Sequence, residues 1–135
     1  MLPMAAPGEL PSEERVRELT ADPKLSAEDA NRYGDLFVEA GKFPVAMMFF
    51  DRSRDAGRLG RVKKHAVEMG DAFLLHSITR LAPDLVTPAE WKEAGDRAMG
   101  EGKFLFARDC YDKAGEMEKA HAAREAWLKI FPPPK

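Results

Sequence analysis

The chain has one cysteine, three histidines and no long apolar run, and its charges nearly cancel. A lone Cys110 cannot form an internal disulfide; this excludes a disulfide-stapled scaffold and fits a reducing, cytoplasmic setting. His65, His76 and His121 lie far apart. None sits beside another histidine or Cys110 at metal-ligand spacing, so neither a metal site nor a cofactor is expected. The longest purely apolar stretch, Val45 to Phe50, falls far short of the roughly 20 residues that cross a bilayer. The net charge of −2 over 135 residues gives no global field towards nucleic acid or an anionic membrane. Met1 to Pro11 carries Pro3, Pro7 and Pro11, no basic residue and no signal-length apolar run, so a flexible lead is expected there.

What the chain does have is a globular composition, 44% apolar and 33% charged, and an internal repeat. Gly34-Asp35 recurs as Gly95-Asp96, Gly41-Lys42-Phe43 as Gly102-Lys103-Phe104, Ala46 as Ala107 and Asp51 as Asp112. The offset is 61 residues throughout, without a gap, and Phe50 matches Tyr111 in character. Seven identities in 18 positions stand against about one expected from average residue usage.

Each copy reads as two helices. Ser26 and Thr87 are N-caps followed by acidic residues, and Pro88 suits the first helical position. The first helices run to about Glu39 and Met99 and are ended by Gly41 and Gly102. The second helices cover about 43–53 and 103–114, with Pro44 tolerated in a first turn. Between the copies, a pair over about 58–69 and 72–81 is expected, and a final helix over about 116–130 is stopped by Pro132 to Pro134. Ser12 to Arg15 opens a short capped helix before Asp22-Pro23. No segment alternates with period two, so the expected class is all-α, with a lead over 1–25, a helical-repeat domain over 26–131 and a tail over 132–135.

Trp91, Ala94-Gly95, Ala98, Gly102, Ala107, Tyr111 and Ala114 space a large aromatic, a small-Gly pair, small residues and a later aromatic in a pattern that resembles a tetratricopeptide repeat. Tyr33-Gly34, Phe37, Gly41, Ala46, Phe50 and Ser53 carry a weaker version. Where that family usually has a proline after the second helix, this chain has Arg58 and Lys119. The resemblance implies a right-handed array of about three antiparallel helix pairs with a C-terminal capping helix. It further implies a groove lined by the first helices, here Asn31, Asp35, Val38, Lys64, Lys92, Asp96 and Met99. The implied role is that of a non-catalytic adaptor or scaffold binding a peptide or partner domain. Self-assembly as a homodimer is the alternative.

A glycine inside a helix costs about 1 kcal/mol relative to alanine. Gly34 and Gly95 share one phase, so close approach of the paired helix is expected, with Ala46 and Ala107 facing the glycines. Trp91, Tyr111, Phe37 and Phe50 are expected to fill the space between pairs. The repeated Asp35 and Asp96 are explained by duplication alone, and no catalytic residue is assigned. Arg52, Arg54, Arg58, Arg61, Lys63 and Lys64 form a basic segment opposed only by Asp55. It would suit an acidic partner or a small anion; no aromatic interleaves after Phe50, so a base-stacking nucleic-acid surface is not indicated. His76 is expected to be a partly buried core residue. If Met47 or Met48 faces outward, it adds adaptable apolar contact area.

Overall fold

The computed structural model describes residues 9–135, so most of the lead expected over Met1 to Pro11 lies outside the described residues. Eight helices and no strands make up the described chain: α1 Glu13–Ala21, α2 Ala27–Glu39, α3 Phe43–Ser53, α4 Ala56–Met69, α5 Ala72–Leu81, α6 Pro88–Gly100, α7 Phe104–Ala114 and α8 Met117–Ile130. The chain divides into two compact units, one ending at Leu59 and the other spanning Gly60–Lys135.

Local chemistry sets the helix boundaries. The Ser12, Ser26 and Asp71 side chains accept from the backbone N–H three residues on, at 3.1, 3.0 and 3.1 Å, satisfying donors that have no intrahelical partner. Thr87 and Glu90 form a reciprocal capping box at the start of α6. Gly41 and Gly102 end α2 and α6 in the left-handed region, at φ 74° and 76°. The next N–H, of Lys42 or Lys103, reaches back to the carbonyl of Phe37 or Ala98 at 2.8 Å in both copies. Helix α4 starts about half a turn earlier than the sequence predicts. Asp55 caps it, accepting from the Arg58 N–H at 2.9 Å, and the turn absorbs Gly57.

In the first unit, α2 packs on α3, and Phe49 lies between Tyr33 and Phe37 with ring centroids 5.4 and 5.8 Å away. Helix α1 is part of this unit's core: Val16 and Leu19 are buried, and Arg52 of α3 donates to the Asp22 carbonyl at 2.6 Å and the Thr20 carbonyl at 3.4 Å. In the second unit, α6 packs on α7, α7 on α8, and α5 on α7. Ala98, Ala107, Tyr111, Ala120 and Ala123 form one buried cluster there, and Trp91 is covered by the His76 ring at 5.0 Å. His76 is half-buried, as expected. Trp127 of α8 lies tilted against Phe131, with ring centroids 4.3 Å apart.

The expected glycine packing needs one correction. Gly34 and Gly95 do mark close approach within each helix pair, but the element they admit is an aromatic ring. A Cβ on Gly34 would collide with Cε1 of Phe50 and lie 2.8 Å from its Cζ; a Cβ on Gly95 would lie 2.7 Å from Cδ1 and Cε1 of Tyr111. Phe50 and Tyr111 therefore fill space inside their own pairs, while Ala46 and Ala107 are fully buried beside them. A ring is too wide for the gap between two Cβ-bearing helices, and removing one Cβ makes room for it.

Candidate functional site

Most residues expected to line a groove are committed to links within their own unit. In the first copy, Asn31 Nδ2 donates to Asp55 Oδ2 at 3.3 Å. One turn on, Asp35 accepts a bidentate pair from Arg58, Nε at 2.9 Å and Nη2 at 2.8 Å, and Arg58 Nη1 also reaches Asp55 at 3.2 Å. The Arg58 backbone N–H, then the guanidinium charge and its hydrogen bond, hold the Asp55 carboxyl below its ordinary range against the opposing effect of burial. Together these bonds tie the middle of α2 to the start of α4.

The second copy repeats the arrangement with different side chains at the same offset. Lys92 stands where Asn31 stands and pairs with Glu116 at 3.8 Å; Asp96 stands where Asp35 stands and meets Lys119 at 3.5 Å. Asp96 also accepts from the Tyr111 hydroxyl at 2.7 Å, a bond that Phe50 cannot make. Burial pushes the Tyr111 phenol up, and its bond to Asp96 adds to the shift. Asp35 and Asp96 are thus each committed to a cation of their own unit. Sequence reasoning missed the partners Asp55, Arg58, Glu116 and Lys119. The signal lies in the 61-residue offset, which continues past the last identity as charge class, acidic at 55 and 116 and basic at 58 and 119.

The remaining expected groove residues differ in setting. Met99 packs against the second unit's buried cluster and Val38 is half-buried. Lys64 is exposed and makes no ion pair among the described residues.

The basic segment is not one patch of free charge. Arg52 is spent on the Thr20 and Asp22 carbonyls at the end of α1, Arg54 lies 3.4 Å from Asp51, and Arg58 holds Asp35 and Asp55. Lys63 pairs with Glu90 at 3.0 Å and donates to the Leu85 carbonyl at 3.1 Å. Arg61 and Lys64 are the exposed members without an ion pair among the described residues.

Of the apolar run, Met47 is buried and Met48 faces outward, 43% exposed. Met48 lines two depressions between α1 and α3. The larger, about 460 Å³, has Pro11, Val16, Phe37 and Val45 as apolar walls and Glu13, Arg17 and Lys42 at its rim. The other, about 440 Å³, is shared with Thr20, Asp51 and Arg52. The second unit has a counterpart of about 320 Å³ between α5 and α7, lined by His76, Asp109, Asp112 and Lys113. Asp109, Asp112 and Lys113 hold the places of Met48, Asp51 and Arg52.

The Cys110 thiol is buried, and burial, with Asp109 and Asp71 adding, pushes it up to about 12, so it carries no thiolate near neutral pH. Among the described residues no group of three His, Cys, Asp or Glu side chains is placed to hold a metal ion, and no helix is long and apolar enough to cross a membrane. Comparison with known proteins finds no match among family models, curated proteins or solved structures.

Proposed function

We propose that the chain is a non-catalytic adaptor, a tetratricopeptide-like right-handed array of helix pairs that holds a peptide segment or partner domain. The observation that carries this reading is the twice-built polar brace, Asn31–Asp55 with Asp35–Arg58 and Lys92–Glu116 with Asp96–Lys119. Each brace fastens the first helix of a pair to the helix that follows the pair. A hairpin stiffened in this way loses little conformational entropy when something binds it, so more of the contact energy appears as affinity.

The brace also changes which surface is available. Residues that the family resemblance assigns to partner contact are here used to hold the scaffold, which leaves Lys64 and the exposed apolar side chains for recognition.

The test is affinity capture from an extract of the source cells, followed by sedimentation of the purified chain with and without what it retains. The adaptor reading expects a stoichiometric partner and a monomeric chain when alone. A chain that retains nothing and sediments faster with rising concentration would be a self-assembling structural protein instead.

A further inference from the structure

The structure assigns a docking seam for an amphipathic partner helix to the trough between α1 and α3. This inference rests on the adaptor reading and names the surface and partner chemistry. Arg52 pins the end of α1 to α3 through the Asp22 and Thr20 carbonyls, so the trough has a fixed wall at one end. Towards the start of α3 it opens over an apolar floor of Val16, Phe37, Val45 and Met48. Val45, Met48 and Arg52 stand at helical spacing along one side of α3, about 10 Å end to end at 1.5 Å per residue. Two turns of a partner helix match that length.

The second copy shows that the scaffold does not need a methionine here. At the place of Met48 it has Asp109, paired with Arg108 at 3.0 Å, beside His76, Asp112 and Lys113. An ordinary solvent-facing position of this hairpin is therefore filled by an acid, whereas Met48 keeps 43% of its surface in water. Methionine at such a place supplies adaptable contact area for an apolar ligand.

Charge sets the rest of the partner's chemistry. Lys103 of the second copy pairs with Glu101 at 2.9 Å and donates to the Met69 carbonyl at 3.2 Å. Its counterpart Lys42, at the rim of the trough, has Ala40 where Glu101 would be and makes no ion pair among the described residues. Arg17, on the same rim, has among the described residues only Glu13 at 3.9 Å, with both side chains largely in water. The occupant is therefore a helix with Leu, Met or Phe at i, i+3 or i+4 and i+7, carrying carboxylates on the flank that meets Arg17 and Lys42.

The test is selection from a phage library of 16-residue helix-forming peptides against the full chain, with Met48→Glu and Lys42→Glu chains as comparison targets. Thermal melts of the three chains should coincide, since both positions are exposed. The expected winners carry an apolar helical stripe flanked by Asp or Glu. They should bind Met48→Glu at least about tenfold more weakly, as loss of a central apolar anchor does. On Lys42→Glu the preference should shift towards Lys- or Arg-flanked peptides. Peptides held equally by Met48→Glu, winners without a charge preference, or no enrichment would each overturn the seam. So would a dimer in sedimentation that Met48→Glu abolishes, because the occupant would then be a second copy. Winners that ignore Met48→Glu but are lost on a Lys64→Glu chain, added as a further target, would move the site to the first helices while leaving the adaptor reading intact.

Discussion

The first copy lays a phenylalanine on its glycine and the second lays a tyrosine. Around that one difference the polar chemistry of the two hairpins diverges. Phe50 is fully buried and bonds to nothing, so Asp35 is free to take both arms of Arg58. Tyr111 sends its hydroxyl to Asp96, and the cation that reaches Asp96 from α8 is the more distant and more exposed Lys119, at 3.5 Å. The same brace is thus built once as a bidentate arginine pair and once as a hydroxyl bond supported by a looser lysine. The duplicated hairpin preserves the link between its helices, and the atoms that make the link are exchangeable. A second difference concerns space. The second copy has buried Trp91 where the first has buried Ala30.

Replacing that tryptophan by the alanine of the other copy is the most severe way to break the comparison. Trp91→Ala should cost about 3–5 kcal/mol in urea unfolding, because it removes a buried ring packed against His76 and leaves a cavity in its place. A cost below about 1 kcal/mol would mean that the ring is not packed as described. Next come the two glycines. Gly34→Ala and Gly95→Ala should each cost about 1–3 kcal/mol, since the added methyl overlaps a ring with little room to move. Gly34→Ala should be the worse of the two, because Phe50 is enclosed on all sides. Pairing it with Phe50→Leu should recover part of the loss, and equal costs with and without that partner change would remove the ring from the explanation.

How much of this was legible in the sequence follows the range of the interactions. Helix ends are decided by neighbours three to six residues away, so Ser26, Thr87, Gly41 and Gly102 could be read directly. The role of Gly34 and Gly95 was legible as close approach, but the identity of the approaching group was not. Alanine and phenylalanine at positions 46 and 50 lie one turn apart on the same face, and a helix pattern does not say which of them meets a given glycine. The braces join residues 23 or 24 positions apart, and only the offset between copies points to them. The outward turn of Met48 was hidden because its neighbours are all apolar, and a stretch without polar residues gives no helical phase. Asp109 in the second copy supplies the missing phase.

The braces themselves allow a smaller test. Arg58→Met should cost about 1–2 kcal/mol, since it breaks a bidentate charge-assisted pair and leaves Asp35 and Asp55 without their shared cation. Lys119→Met should stay within about 0.5 kcal/mol, as exposed single-contact pairs usually do. Denaturant titrations of both variants measure this directly. If the two costs were equal, the brace would owe its worth to position alone and the bidentate geometry would contribute nothing.

The smallest effect has the opposite sign. After its second helix each copy turns through the left-handed region. The second copy uses Gly115 there at φ 77°, whereas the first uses Arg54 at φ 56°, the one non-glycine residue with positive φ among those described. A side chain at that angle brings Cβ towards the following carbonyl, at a cost of roughly 1–2 kcal/mol per residue. Glycine avoids the clash but gives up about 0.5–1 kcal/mol of it through the greater freedom of the unfolded chain. Arg54 also gives some of the strain back through its Nε bond to the Asp51 carbonyl at 2.8 Å. Arg54→Gly should therefore stabilise the protein by about 0.5 kcal/mol, and the reciprocal Gly115→Arg should destabilise it by a similar amount, since Asp112 offers an arginine there the same carbonyl that Asp51 offers Arg54. Matched urea titrations of the two variants decide it, and a destabilised Arg54→Gly would mean that the Asp51 bond outweighs the backbone strain.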